Sequence, residues 1–138
     1  QLMGSLDGKE IALLGLAFKP GTDDIREAPS VDIACMLHER GARLRIYDPV
    51  AMKNCRHLLP EDVNFAPDIY SATAGANAII LVTEWQQFVD ADWAAIKEQM
   101  KEPYIVLDGR NALPQDGMIA LGFKYIGIGR TPQTPAKS

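Results

Sequence analysis

Short apolar runs alternate with helical patterns along the chain. Residues 11–14 and 78–82 are apolar throughout, which is typical of strands that are buried on both faces of a parallel sheet. The predicted strands cover residues 9–14, 43–47, 63–65, 78–82, 104–107 and 123–126. Strands that alternate with helices predict an α/β fold: a Rossmann-like three-layer sandwich around a mostly parallel, doubly wound sheet.

Helix signals lie between the predicted strands. The predicted helices cover residues 31–40, 51–59, 93–100 and 114–121. Ser30 and Asp92 are the predicted N-caps of the first and third helices, because a short polar side chain can accept a hydrogen bond from a free backbone N–H. Gly41 is the predicted end of the first helix, since glycine readily adopts the left-handed conformation found there. Residues 71–75 are predicted to form a turn, and residues 131–138 a disordered tail.

The polar loops that follow the strands are predicted to form a ligand site. In a parallel sheet such loops collect at one edge, which brings together residues 18–26, Asp48, residues 83–85 and residues 108–111. The charged residues of the first loop are Lys19, Asp23, Asp24 and Arg26. A loop with two cations is suited to an anionic ligand, although neither glycine-rich phosphate-binding fingerprint is present.

Composition and net charge argue against several classes of function. The 138 residues suit one domain, and a net charge of −4 argues against nucleic acid as the main partner. No apolar run approaches the ~20 residues that span a bilayer, and no secretory signal opens the chain. Cys35 and Cys55 give no disulfide framework, so reduced thiols and a cytoplasmic location are expected. These observations predict neither a nucleic-acid partner nor a membrane partner.

Two cysteine–histidine pairs superficially resemble metal ligands. Cys35 precedes His38 by three residues, and Cys55 precedes His57 by two. Neither pair has zinc-finger spacing to the other, and Cys35 lies within an apolar helical pattern. No metal site is therefore predicted.

Five ordered motifs carry a specific resemblance to a known family. The first is Gly-Leu-Ala-Phe-Lys-Pro-Gly-Thr-Asp-Asp-Ile-Arg-Glu-Ala-Pro at residues 15–29. The others stand at residues 47–52, 81–85, 107–111 and 122–130. With these motifs the chain resembles the carboxy-terminal domain of the UDP-glucose/GDP-mannose dehydrogenase family. The resemblance implies a nucleotide-sugar (UDP) binding domain over residues 7–130, preceded at residues 1–6 by the end of a linker or central helix.

The resemblance also implies an activity for the whole enzyme. Members of the family oxidise the 6-hydroxymethyl group of a nucleotide sugar to a carboxylate with two NAD⁺. They combine an amino-terminal dinucleotide-binding domain, a central helical dimerisation region with the catalytic cysteine, and a carboxy-terminal domain that holds the nucleotide. The sequence contains neither the glycine fingerprint nor the catalytic-cysteine segment. We therefore expect an excised domain that is inactive alone, has no catalytic residue of its own, and belongs to a homodimer or larger assembly when full-length.

Site residues are carried over from the family position by position. Lys19 matches the lysine that reaches the nucleotide sugar, and Phe18 matches the aromatic residue beside it. Arg110 matches the arginine that closes on the substrate nucleotide, and Arg26 matches the arginine that reaches toward the NAD pyrophosphate across the domain interface. These roles are chemically reasonable because charge-assisted hydrogen bonds from lysine and arginine are the strong contacts available to a pyrophosphate.

The sequence leaves alternatives open for the substrate and for the function class. Pro20 and the motifs at residues 47–52 and 108–111 are more similar to the UDP-glucose members of the family, which points to UDP-glucose and UDP-glucuronate as ligands. The same domain of a GDP-mannose or UDP-N-acetylmannosamine dehydrogenase is the alternative. A free-standing nucleotide-binding module and a CoA- or NAD-binding Rossmann domain are further alternatives. Trp85 either lines the site or covers the sheet.

Overall fold

Strands and helices alternate along the chain, as the sequence predicts. The computed structural model describes residues 8–16, 29–48, 59, 63–83, 85–102, 104–109 and 112–127. Within these residues the strands are β1 (Glu10–Leu14), β2 (Arg43–Tyr47), β3 (Asn64–Phe65), β4 (Ala78–Leu81), β5 (Ile105–Asp108) and β6 (Lys124–Gly127). The helices are α1 (Pro29–Glu39), α2 (Ile69–Thr73), α3 (Gln86–Val89), α4 (Trp93–Gln99) and α5 (Gln115–Ala120).

The strands form one parallel sheet in the order β3-β2-β1-β4-β5-β6. This is the doubly wound order, in which the chain builds outward from β1 on one side and then continues from β4 on the other. Leu14 is in register with Tyr47 and with Leu81, and Leu81 is in register with Asp108. The last residues of four strands therefore lie in one row at the carboxyl edge of the sheet, and the predicted fold class is confirmed.

The central strand is buried on both faces. Ile11 and Leu13 of β1 belong to one core cluster, on the side of α1, whereas Ala12 and Leu14 belong to the cluster on the opposite side. All four side chains are at most 2% exposed. Because side chains alternate between the faces of a strand, a strand covered on both sides needs an unbroken apolar run. This is why the apolar run predicted the strand position to within one residue.

Helix α1 ends as the sequence predicts but begins differently. Gly41 has a φ of +90°, its N–H donates to His38 O at 3.0 Å, and the Ala42 N–H donates to Leu37 O at 3.1 Å. These two bonds form the Schellman arrangement that satisfies the final carbonyl groups of a helix. The prediction of Ser30 as the N-cap is wrong. Ser30 lies inside the first turn of α1, and its hydroxyl is used elsewhere.

The other predicted helix boundaries are confirmed where the structure describes them, except around the short helices α2 and α3. Asp92 caps α4, since its side chain accepts a hydrogen bond from the Ala95 N–H at 3.1 Å. The predicted turn at 71–75 is wrong in its first half, because α2 begins at Ile69 after an N-cap at Asp68. Helix α3 was not predicted. The predicted helix at 51–59, apart from Leu59, and the predicted tail at 131–138 lie outside the described residues. Among the helices that the structure describes, none is long and apolar enough to cross a bilayer.

Candidate functional site

The loops after the strands meet at the carboxyl edge, where the sequence predicts a ligand site. Asp48, Thr83 and Asp108 follow or end strands β2, β4 and β5, and all three side chains are 0% exposed. Four predicted binding residues, Phe18, Lys19, Arg26 and Arg110, lie outside the described residues. The structure describes the ends of the strands that precede their loops, so it defines where the chain enters each loop.

The junction of β1 and β4 is closely packed around a glycine. Gly15 has a φ of +97°, and a Cβ placed there would lie 2.6 Å from both Cβ and Oγ1 of Thr83 and 2.7 Å from its backbone nitrogen. The sheet pairing continues beside it, because the Val82 N–H donates to Leu14 O at 2.9 Å. Only glycine combines this φ with so little space. Gly15 therefore has a steric role at the point where the sheet reverses, which is where doubly wound folds place their ligands.

Leu16 anchors the start of the loop that carries Lys19. Its backbone N–H donates to Asp48 Oδ2 at 2.7 Å, and its carbonyl oxygen accepts a hydrogen bond from the Ser30 hydroxyl at 2.6 Å. The Leu16 side chain is 0% exposed. Ser30 stands at the far end of the same loop, in α1. The two ends of the loop are thus joined by a buried hydrogen bond, and Asp48 fixes them to the end of β2.

Asp108 anchors the loop that carries Arg110. Its Oδ2 atom accepts hydrogen bonds from the Leu113 N–H at 2.8 Å and from the Tyr125 hydroxyl at 2.6 Å. The adjacent Gly109 N–H donates to Leu81 O at 2.9 Å and so extends the pairing of β4 with β5. Both ends of the loop at residues 109–113 are therefore held by hydrogen bonds, and the bond at Leu113 is buried.

An aromatic group borders the edge beside β2. The rings of Tyr47 and Phe88 make an edge-to-face contact with centroids 5.9 Å apart, and the Tyr47 hydroxyl donates to Gln87 Oε1 at 2.9 Å. Burial raises the pKa of Tyr47 above its usual value, and the nearby carboxylates of Asp48 and Asp68 raise it further. Both causes disfavour the phenolate, so this side chain remains a neutral hydrogen-bonding group through physiological pH.

Trp85 packs against the same core cluster and is half-buried. Its indole Nε1 is buried and has no hydrogen-bond partner among the described residues. Of the two interpretations that the sequence leaves open, this packing favours the one in which Trp85 covers the sheet.

Sequence reasoning missed the anchoring residues of both loops. Tyr125 falls within the family motif at residues 122–130, but nothing in that motif marks it as a partner of Asp108, and Ser30 has the features of an ordinary cap residue. Asp48 and Asp108 were placed at the correct edge, but their hydrogen bonds to Leu16 and Leu113 were not predicted. The available signal was their position, since a carboxylate at the end of an apolar strand must find donors when it is buried.

The described residues do not fit the cradle of a dinucleotide. In a dinucleotide fold, the glycine-rich turn after β1 presents free backbone N–H groups to the pyrophosphate. Here the N–H of Leu16 is bonded to Asp48, and the Leu16 side chain is buried in the core cluster on the side of α1. The described residues likewise contain no cluster of three or more histidine, cysteine, aspartate or glutamate side chains that could hold a metal ion.

A separate cavity of about 530 Å³ lies at the opposite edge of the sheet. Its lining includes His38 and Gly41 at the end of α1, and Arg43 and Asn64 at the beginnings of β2 and β3. The loops with the predicted binding residues follow the other ends of the strands. We therefore do not assign the nucleotide to this cavity.

Comparison with known proteins identifies the family. The profile of the UDP-glucose/GDP-mannose dehydrogenase family, UDP binding domain, matches residues 12–115. The chain is 41% identical over 134 residues to UDP-glucose 6-dehydrogenase YwqF of Bacillus subtilis (strain 168), and this match covers 97% of the chain and 30% of the relative. It is 46% identical over 132 residues to a UDP-glucose 6-dehydrogenase of Pseudomonas aeruginosa, with coverage of 92% and 29%.

A solved structure agrees with these sequence matches. The UDP-glucose dehydrogenase of the hyperthermophilic archaeon Pyrobaculum islandicum superimposes with a TM-score of 0.73 at 32% identity, and the match covers 93% of this chain and 26% of that one. The chain spans about 30% of the length of the curated relatives it matches. The chain therefore belongs to the UDP-glucose/GDP-mannose dehydrogenase family and corresponds to its UDP-binding domain.

Proposed function

We propose that this chain binds the UDP portion of UDP-glucose as one domain of a UDP-glucose 6-dehydrogenase, which oxidises UDP-glucose to UDP-glucuronate with two NAD⁺. The observation that carries the proposal is the position of β1, β4 and β5 next to one another, with the loop of Lys19 leaving β1 and the loop of Arg110 leaving β5. Two strand spacings of about 4.8 Å separate these loop origins by about 10 Å. Two long cationic side chains can close such a gap on one diphosphate.

Each proposed contact has a chemical reason. The Lys19 ammonium acts as a compact point charge, whereas the Arg110 guanidinium can bind two phosphate oxygens with its planar fork. We assign Phe18 to an apolar contact beside Lys19. UDP-glucose is favoured over GDP-mannose because the two curated relatives and the archaeal structure described above are named for UDP-glucose.

In this proposal, Arg26 is the residue of this chain that contacts NAD. The described residues do not form a dinucleotide cradle, so we propose that the cofactor is bound mainly by another domain of the full-length enzyme. Arg26 would reach the NAD pyrophosphate across the domain interface. The domain boundaries at residues 7 and 130, a homodimeric or larger full-length enzyme, and a cytoplasmic location are part of the same proposal.

Titration of the chain with UDP tests the proposal. We expect a Kd of about 10⁻³–10⁻⁴ M, which corresponds to ~4–5.5 kcal/mol, because contacts from the other domains are absent. Lys19→Ala should weaken binding by about tenfold or more, since it removes a charged contact. Lys101→Ala is the matched control, because Lys101 is an exposed lysine close to the amino end of β5. Equal affinity for GDP and UDP, or equal losses in the two lysine variants, would contradict the assignment.

A further inference from the structure

Asp108 and Tyr125 make a buried contact that joins the end of β5 to β6. The Tyr125 hydroxyl lies 2.6 Å from Asp108 Oδ2 and 3.1 Å from the carbonyl oxygen of Leu113. A phenol has one proton, and the bond to the carboxylate is the shorter one and is charge-assisted. The same Oδ2 atom accepts the Leu113 N–H at 2.8 Å. The carboxylate therefore binds the far end of its own loop and is itself oriented by the neighbouring strand.

We propose that Asp108 and Tyr125 are positioning residues that fix the loop of Arg110 for nucleotide binding. This inference rests on the proposed function, in which Arg110 contacts the UDP pyrophosphate. Gly109 is bonded to Leu81 and Leu113 is bonded to Asp108, so only residues 110–112 lie between two fixed points.

Burial makes this arrangement costly unless every partner is present. Asp108 is 0% exposed, Leu113 is 1% exposed and Tyr125 is 8% exposed. A buried carboxylate loses its hydration, and hydrogen bonds from the protein must compensate for that unfavourable free energy. A role in stability alone would be served as well by an apolar residue at this position. The carboxylate does what an apolar side chain cannot: it closes the loop through a directional bond to Leu113.

A double-mutant cycle with Arg110 tests the inference in this chain. The variants are Tyr125→Phe, Arg110→Ala and the combination of both, each titrated with UDP. Tyr125→Phe should weaken UDP binding by about threefold to tenfold, the range expected for residues coupled in one hydrogen-bond network. In the Arg110→Ala background the same substitution should cause no further loss, because the residue it positions is gone. Tyr70→Phe, which removes a hydroxyl bonded to the Asp92 N–H, is the matched control and should leave UDP affinity unchanged.

Amide hydrogen exchange supplies a readout that does not depend on the ligand. Tyr125→Phe should raise the exchange rate of the Leu113 amide by about tenfold, while the Val106 amide inside β5 should keep its wild-type rate. If Tyr125→Phe fails to fold, Asp108→Asn keeps a carbonyl acceptor and allows the same two measurements.

The outcomes separate this inference from the proposed function. The inference is overturned if the Leu113 amide exchanges at the wild-type rate, or if Tyr125→Phe weakens UDP binding equally with and without Arg110. It is also overturned if Arg110→Ala weakens binding and Tyr125→Phe does not. If neither Arg110→Ala nor Lys19→Ala affects UDP binding, the proposed function fails, and the Leu113 exchange rate still decides whether Tyr125 holds the loop.

Discussion

The Ser30 hydroxyl lies 2.6 Å from the carbonyl oxygen of Leu16, although the two residues are 14 positions apart in the chain. The bond is buried and joins the first turn of α1 to the residue that follows β1 by two positions. A serine next to a proline at the start of a helix would ordinarily cap that helix. Here it closes the base of the loop that carries Lys19 and Arg26, so it links the helix to the proposed binding site.

Ser30→Ala should destabilise the chain by about 1–3 kcal/mol, because the carbonyl group of Leu16 would remain buried without its donor. The free energy of unfolding in urea measures the effect. Ser71→Ala is the matched control, since Ser71 is exposed and its hydroxyl lies at 3.4 Å from Asp68 Oδ2. We expect the control to change stability by less than about 0.5 kcal/mol. Similar losses in the two variants would mean that the bond to Leu16 contributes nothing specific.

Gly15→Ala should be far more destabilising than Gly8→Ala. Both glycines have positive φ values, +97° and +77°, but a Cβ at Gly8 meets no atom within 4 Å, whereas a Cβ at Gly15 meets Thr83 at 2.6 Å. We expect a loss of about 1–2 kcal/mol at Gly8 from backbone strain, and about 3 kcal/mol or more at Gly15 from strain plus steric overlap. Thermal or urea unfolding of both variants provides the comparison.

The double variant with Thr83→Ala refines this prediction. It should recover little stability, because the Cβ and the backbone nitrogen of residue 83 remain in place at 2.6 and 2.7 Å. Full recovery would show that the Thr83 hydroxyl alone excludes a side chain at position 15.

Stability should fall at alkaline pH partly because of Tyr47. The folded pKa of Tyr47 is raised above the ordinary value of 10.0 by burial and by Asp48 and Asp68. Below that value the phenol is protonated in both states. As the pH rises through 10.0, the Tyr47 phenol loses its proton in the unfolded chain before it does so in the folded chain. Ionisation therefore stabilises the unfolded state relative to the folded state. The contribution of Tyr47 to stability therefore declines from about pH 10 upward.

Tyr47→Phe should make the alkaline decline shallower. The measurement is the free energy of unfolding in urea from about pH 9 to about pH 11, together with the tyrosinate absorbance of the folded chain. The variant should lose one component of the absorbance titration, and that component should titrate above the ordinary value of 10.0. Identical pH profiles for the two proteins would show that Tyr47 ionises alike in both states.

Steady-state kinetics of a full-length dehydrogenase that contains this domain should distinguish the roles of Lys19 and Arg26, which lie in the loop after β1. Lys19→Ala and Arg110→Ala should lower kcat/KM for the nucleotide sugar by roughly tenfold to a hundredfold, or ~1.5–3 kcal/mol. Arg26→Ala should instead raise the KM for NAD⁺. Varying each substrate separately gives the comparison, and an effect of Arg26→Ala on the nucleotide-sugar KM alone would contradict the division.

The isolated chain should produce no NADH from UDP-glucose and NAD⁺. The sequence contains neither the glycine fingerprint nor the catalytic-cysteine segment, and the described part of the turn after β1 does not fit a dinucleotide. A spectrophotometric assay at high protein concentration tests this expectation. Sustained NADH production that follows the purified chain would overturn it.

The sheet could be predicted from the sequence because its signals are local. Ala78–Leu81 and Glu10–Leu14 are marked by apolar runs, and Gly41 marks the end of α1. Helix α2 could not be predicted, since five residues are too few to display a helical period and its N-cap at Asp68 resembles any turn residue.

The anchors of the site could not be predicted because they join distant positions. Asp48 meets Leu16 across 32 positions, and Tyr125 meets Asp108 across 17. Ser30 shows a further limit: a serine hydroxyl can accept or donate a hydrogen bond, and only the fold decides which group it finds. The roles of Lys19 and Arg110 stay predictions from family resemblance, which the kinetic and titration experiments address.

The central place of β1 also governs how the chain can fold. Among the described strands β1 comes first in the chain, yet it pairs on one side with β4, and Glu10 meets Asn77 across 67 positions. During synthesis the apolar strand has a partner on one edge only until the chain has grown past Leu81. Closing so long a connection lowers the chain entropy before the strand pairing contributes any stabilising free energy. Folding should therefore be slow relative to helical domains of this size. Until β4 has been synthesised, one edge of this apolar strand is exposed to chaperones and to other chains.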